Sequence, residues 1–380
     1  MYWEPPAQVL RHKVVRLQNT FLITLVAASL LLGTRASAEP NLNFNFFSAV
    51  DAYDRAQATS LEHFRIGESA LFVTGRLSDR WSVLSEITAE LPDKREQPIR
   101  VERARLRYAL NRDHWLSVGK MHTPVNYWND TYHHGRIFFP TINRPLVFGG
   151  FIPMHEAGVR AAGQDLLGTD FGYDLVLGSG QSAGDDFFSE GIQSYTISVN
   201  WSPSNRLRLS ASYYRDSILD HRNNSAHRRH HHHGQEEMLV TRHDVGAHAG
   251  THPEPHDIPV GDIPYELLSF SAYREHGPVT MLTEVSANRT NGGDFNHALY
   301  QYLGYDLSED LTGYILADHV HVQESEVHFE PGRDMRFGVG FEYSIGVAAT
   351  LKVEVRRRQN LRTQAHRNYN ELQAQLSIGL

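Results

Sequence analysis

Residues 368–380 read NYNELQAQLSIGL, and here Leu372, Ala374, Leu376, Ile378 and Leu380 alternate with Glu371, Gln373, Gln375 and Ser377. A period of two sends successive side chains to opposite faces of a strand, so one face is apolar and the other polar. The same rhythm recurs upstream. Tyr195, Ile197, Val199 and Trp201 alternate with Ser194, Thr196, Ser198 and Asn200, and Leu207, Leu209, Ala211 and Tyr213 alternate with Arg206, Arg208, Ser210 and Ser212. From Arg333, Met335, Phe337, Val339, Phe341 and Tyr343 face away from Asp334, Arg336, Gly338, Gly340 and Glu342.

Laid out this way, strands run from Arg65 to the C-terminus, and Leu42 to Asp51 supplies one more ahead of the first tight turn, giving sixteen. Tight connections at Ser78-Asp79-Arg80, Asn111-Arg112-Asp113, Pro203-Ser204-Asn205 and Ser308-Glu309-Asp310 use residues whose side chains bond locally to the backbone. Longer polar segments such as 92–98, 181–190 and 323–332 lie between them, so each hairpin is trim at one end and elaborate at the other. Two strands fit less well: 298–307 is apolar on both parities, and Asp318 falls on the parity of 311–322 that otherwise looks apolar. Either a bulge shifts the register or the boundaries differ.

The rest of the chain bounds the compartment. Arg11, Lys13 and Arg16 precede the apolar run FLITLVAASLLL (21–32), and Ala36-Ser37-Ala38 follows. This reads as a secretory signal peptide over 1–38, cleaved after Ala38. The mature segment 39–380 has no cysteine, so burial and backbone pairing must hold it together. Mean hydropathy is −0.43, too polar for a bundle of membrane helices. The formal charge of −8 gives no reason to expect nucleic-acid binding.

An exported chain of alternating strands, with short turns on one side and long loops on the other, is predicted to be an all-β transmembrane antiparallel β-barrel of about sixteen strands in an outer membrane. Lipid cannot satisfy open sheet edges, so a spanning sheet must close. Aromatic residues Trp115, Tyr127, Trp128, Tyr195, Trp201, Tyr213, Tyr300, Tyr302 and Tyr343 are assigned to strand ends or outward positions, as interfacial girdles. The turns SDRWSV and LNRDHWLSVGK, the strand count and the amphipathic C-terminal strand resemble Gram-negative porins, distantly the phosphate-selective type, although the last residue is Leu380 where that class usually ends in an aromatic. The resemblance covers Asn41 to Leu380. It implies a diffusion channel in the cell outer membrane, assembled as a homotrimer, with the third long loop folded inward. Its partners would be outer-membrane lipid, the barrel assembly machinery and a small hydrophilic solute or metal ion.

Three groups of residues are candidates for function. The third long segment, TPVNYWNDTYHHGRIFFPTINRPLVFGGFIP (123–153), is dense in apolar side chains that would be costly in water. Folded into the barrel mouth it would bring His133, His134, Arg136 and Arg144 to the lumen; the alternative is packing on the rim or against a neighbouring subunit. The second group is basic and assigned to the lumen: Arg103, Arg105 and Arg107 on one strand, Lys352, Arg356 and Arg358 on another, with Arg206, Arg208 and Arg336. Such rows favour anions unless Glu86, Glu90, Glu102, Glu284, Glu342 and Glu354 neutralise them. The third is a His-rich extracellular loop, 219–263. It holds His221, His227, His230, His231, His232, His233, His243, His248, His252 and His256, interspersed with Gly and Pro. The spacings fit no closed zinc site, so the expectation is weak, polyvalent Zn2+ or Cu2+ binding, with no cofactor required. His122, His133, His134, His155, His319 and His321 are a further candidate set for the pore interior. Neither an H-E-x-x-H nor a Walker pattern is present, and the chain is not expected to be an enzyme. The readings carried forward are a porin-like channel handling small solutes and divalent metal, an anion-preferring pore, and a barrel-anchored surface binding protein.

Overall fold

The computed structural model describes residues 41–55, 64–89, 99–132, 141–149, 151–181, 191–218, 262–362 and 365–380. Outside these lie the expected signal peptide (1–38), His133, His134 and Arg136, and all ten histidines assigned to the metal-binding loop. Of that loop's range only Asp262 and Ile263 are described, and Ile263 already begins a strand.

Sixteen strands form one sheet closed on itself. In chain order they are β1 (Asn41–Arg55), β2 (Phe64–Arg76), β3 (Trp81–Ala89), β4 (Ile99–Ala109), β5 (His114–His122), β6 (His155–Gly163), β7 (Phe171–Gly178) and β8 (Ser194–Ser204). They continue as β9 (Leu207–Ile218), β10 (Ile263–His276), β11 (Val279–Thr290), β12 (Asn296–Asp306), β13 (Leu311–Val322), β14 (Gly332–Ile345), β15 (Ala349–Arg362) and β16 (Ala365–Gly379). Every strand pairs antiparallel with its sequence neighbours, and β1 pairs with β16 to close the barrel, Phe46 and Leu380 exchanging backbone hydrogen bonds of 2.8 Å at the seam. Closure leaves the sheet without an open edge, as a spanning sheet requires. The connection between β15 and β16 is short, because the two strands stay paired out to Arg362 and Ala365.

The outward face is apolar around the ring: Leu71, Val118, Val159, Ile197, Phe270, Leu303, Ile315, Val339 and Leu376 are all exposed. That is the pattern lipid selects. Tyr195, Trp201, Tyr213 and Tyr343 share this face, as expected of a girdle. Trp115, Tyr300 and Tyr302 do not: Trp115 lies beneath the Arg107 guanidinium, and Tyr300 and Tyr302 are buried on the inward face of β12. Tyr127 and Trp128 belong to the short helix α1 (Tyr127–Tyr132) between β5 and β6.

The difficult strands are regular. On β13, Tyr314, Leu316, Asp318, Val320 and Val322 point inward and Ile315, Ala317, His319 and His321 outward. Both parities look apolar because lipid covers one and protein covers the other. Gly338 and Gly340 on β14 sit opposite Leu316 and Tyr314; a Cβ at 340 would lie 2.5 Å from the Tyr314 ring. These glycines make room for the large inward residues of β13. A bulge does occur between β3 and β4, where Glu86 pairs with Arg103 but Ile87 pairs with Val101, leaving Glu102 as the extra residue.

Candidate functional site

The segment between β5 and β6 packs inside the barrel. Val125, Trp128, Val147, Phe148 and Phe151 are buried in one cluster with the inward residues Tyr214, Tyr265, Leu267, Leu282, Tyr300 and Leu316 of β9 to β13. Trp128 meets Phe148 with ring centroids 4.9 Å apart, and Tyr127 meets Tyr273 at 5.0 Å. Burial raises the pKa of the Tyr127 and Tyr132 phenols, so both act as neutral hydrogen-bonding groups.

Backbone groups of this irregular segment need partners inside the lumen, and the far wall supplies them. The Trp128 amide donates to Glu284 (2.7 Å), the Tyr127 amide to Ser271 (3.0 Å) and the Leu146 amide to Asp318 (2.6 Å). The Arg144 carbonyl accepts from Arg336 (2.6 Å), which also pairs with Asp318 (2.7 Å). The Phe151 carbonyl accepts from Tyr265 (2.5 Å). Asn143 meets Gln373 of β16 and, with its amide turned to present oxygen, accepts from Arg356. The segment therefore crosses the lumen from β5 and β6 to β10 through β16. Packing on the outer rim is excluded for its described residues.

The basic residues divide by what they face. Arg336 pairs with Asp318, Arg356 with Glu371 (2.6 Å) and Arg358 with Asp334 (2.6 Å), all buried, while Lys352 lies 3.4 Å from Gln375. On the β4 side Arg100 pairs with Glu102 (3.1 Å), Arg103 with Glu86 (2.5 Å), Arg160 with Asp174 (2.5 Å) and Arg208 with Asp130 of α1 (3.1 Å). Arg105 and Arg107 differ, having no ion pair among the described residues. Arg107 stacks on Trp115, 4.0 Å from the ring centroid. Arg105 opens onto a cavity of about 580 Å3 at the short-turn end, lined also by Asn41, Asn43, Thr74, Arg76 and Ser82. Arg206 is not on the wall; it lies exposed in the tight turn between β8 and β9. The bulge at Glu102, the pair Arg160–Asp174 and the helix residue Asp130 escaped sequence reading. For Arg160 and Asp174 a signal existed, since both sit on the even, inward parity of their strands.

The histidines separate as well. His122 and His155 are cross-strand neighbours with rings 5.0 Å apart, and His155 lies 3.5 Å from Glu102. His319 and His321 face outward, away from the lumen, because they alternate with buried Val320 and Val322. Among the described residues no group of three His, Asp or Glu side chains is placed to hold a metal ion. Gly180–Gly184 spells GQSAG, a match to the nucleophile-elbow string G-x-S-x-G. That string owes its meaning to a strand–turn–helix in an α/β sheet, whereas here it follows β7 of an antiparallel barrel, and Ser182 lies outside the described residues.

No family model matches the chain, and no curated protein does. Solved outer-membrane barrels do. The channel DcaP of Acinetobacter baumannii superposes with a TM-score of 0.59 at 12% identity, over 92% of this chain and 99% of that one. An anion-selective porin from Comamonas acidovorans gives 0.59 at 8%, over 90% and 100%. The trimer form of in-vitro folded OmpT, an outer-membrane protein of Vibrio cholerae, gives 0.56 at 11%, over 90% and 100%. At these identities the likeness is one of fold. It shows a closed antiparallel β-barrel of the fold found in these outer-membrane proteins, with a distant likeness to porins.

Proposed function

We propose that this barrel is a passive diffusion channel for small hydrophilic solutes, with a bias toward anions at its short-turn end. The observation that carries the reading is the pairing pattern inside the lumen. Most basic side chains there meet a carboxylate and contribute little net field. Arg105 and Arg107 meet none, and Arg105 faces open volume. Basic side chains left uncompensated on a pore wall set the sign of its field. The apolar cluster of the inward segment packs against β9 to β13, and none of its described residues lines the cavity that Arg105 faces, which makes the arginine-bearing wall the solute's path.

The test is the reversal potential of the reconstituted protein under a KCl gradient. Wild type is expected on the anion side, and R105Q/R107Q is expected to move toward the cation side with conductance retained. An unchanged reversal potential would remove the anion bias. We further propose a homotrimer, supported by the trimer form of the OmpT neighbour.

A second reading concerns divalent metal. Ten histidines between His221 and His256 lie in a stretch with Gly234, Gly246, Gly250, Pro253 and Pro255. Neutral imidazole is a common ligand for zinc and copper, and this composition supports several weak sites rather than one ordered centre. Deleting residues 221–256 is expected to abolish multi-site Zn2+ binding in calorimetry and to lower Zn2+ uptake by cells. If binding and uptake are both unchanged, the loop collects no metal.

A further inference from the structure

The outward face of β12 to β14 carries a basic cluster at the long-loop end that the channel reading does not use. Cross-strand register sets His297 opposite His321 and His321 opposite Arg333. His319 lies one outward position lower, between Leu299 and Met335. The His297 ring is 5.0 Å from that of His321 and 5.5 Å from that of His319. The His321 Nδ1 atom is buried with no hydrogen-bond partner, and Arg333 has no ion pair among the described residues.

Position makes this unusual. Below the cluster the same face continues as Leu303, Ile315 and Val339 and then Tyr305 and Phe341, all exposed to lipid. From Leu311 to His321, β13 advances ten residues; at about 3.4 Å per residue and a tilt of about 40°, that is about 26 Å of height, close to the roughly 25 Å apolar band of such barrels. The imidazoles therefore sit where acyl chains give way to headgroups. Polar side chains at a girdle commonly reach to water, and a single histidine would need no other account. Here three imidazoles and a guanidinium converge with no ion pair to a carboxylate among the described residues. The acidic neighbour Asp334 points inward and is taken by Arg358 at 2.6 Å. One strand further round, outward Arg289 does have its carboxylate, Glu266 at 2.6 Å. Among the described residues the missing ion pair is therefore a property of the β12 to β14 face.

We propose that His297, His319, His321 and Arg333 form a site for the phosphorylated headgroup of an outer-leaflet glycolipid, whose acyl chains lie along Leu299, Leu303, Ile315 and Val339. A phosphate oxygen accepts N–H bonds from imidazole and guanidinium donors at once, and such charge-assisted bonds strengthen at a lipid–water boundary.

The test is native mass spectrometry of the full-length protein in detergent, with diphosphoryl lipid A, the same lipid stripped of phosphate, and inorganic phosphate as separate additions. Wild type is expected to retain diphosphoryl lipid A and H297Q/H319Q/H321Q/R333Q to bind it about tenfold more weakly. Dephosphorylated lipid should bind both proteins equally and weakly, and inorganic phosphate should not displace the lipid. Equal affinity of the two proteins for diphosphoryl lipid overturns the proposal. So does displacement by inorganic phosphate, which would make the site one for the free ion. A variant that keeps its lipid but falls to a smaller oligomer also overturns it, because the face would then be a contact between copies of the chain. If the quadruple variant does not fold, H321Q and R333Q are read singly, each with a smaller loss in the same direction. Channel conductance serves as the folding control, since no substituted residue faces the lumen.

Discussion

Replacing residues 124–153 by a short Gly-Ser turn is expected to raise single-channel conductance about threefold, because the aqueous lumen of a sixteen-strand barrel is then no longer crossed by chain. The excision is geometrically mild. His122 and His155 are already cross-strand partners, so the shortened connection closes an ordinary hairpin. It is energetically less mild, since Tyr214, Tyr265, Leu282 and Tyr300 lose the apolar side chains that cover them. Burial of such groups contributes about 1.5–3 kcal/mol per side chain, so the shortened barrel should unfold at lower urea concentration while still showing heat-modifiable migration. Conductance equal to wild type in a folded variant would mean that the segment does not constrict the path.

The second large effect is expected at Arg336. Its side chain is 1% exposed and that of its partner Asp318 is fully buried. Arg336→Met leaves the Asp318 carboxylate without its cation, and breaking a buried pair from one side costs about 3–5 kcal/mol. The same guanidinium also holds the Arg144 carbonyl, and Asp318 holds the Leu146 amide. The variant should thus lose stability and also show open-channel noise as the inward segment loosens. Adding Asp318→Leu should recover much of the stability, because replacing both charges with apolar groups removes the uncompensated one. The noise should persist, since the Arg144 carbonyl is still without its donor and the Leu146 amide has now lost its acceptor as well. Equal urea midpoints for wild type and Arg336→Met would refute this account of the pair.

These expectations show which parts of the molecule sequence reading reaches. Strand number, order and outward face are legible because lipid imposes one uniform demand, so Ile197, Val339 and Leu376 repeat on a strict period. The inward face answers to local partners and carries no such rule. On β12 and β13 it is apolar because Trp128 and Phe148 pack there, so Tyr300 and Tyr302 pass for girdle residues and Asp318 for a register error. On β4 it is charged, and the arginine row and its counter-ion Glu86 are legible, while the geometry that brings the other carboxylates in is not. Glu102 reaches the lumen only through a bulge, and Asp130 only through the helix that the inward segment carries across. His319 and His321 look like a pore relay on composition alone; parity places them against lipid.

Whether the barrel conducts is decided by planar-bilayer recording of the purified full-length protein. Discrete, reproducible conductance steps that grow with salt concentration are expected, with a reversal potential on the anion side. A correctly folded barrel that inserts without producing steps is no channel, and would be left as the anchor of a surface binding protein.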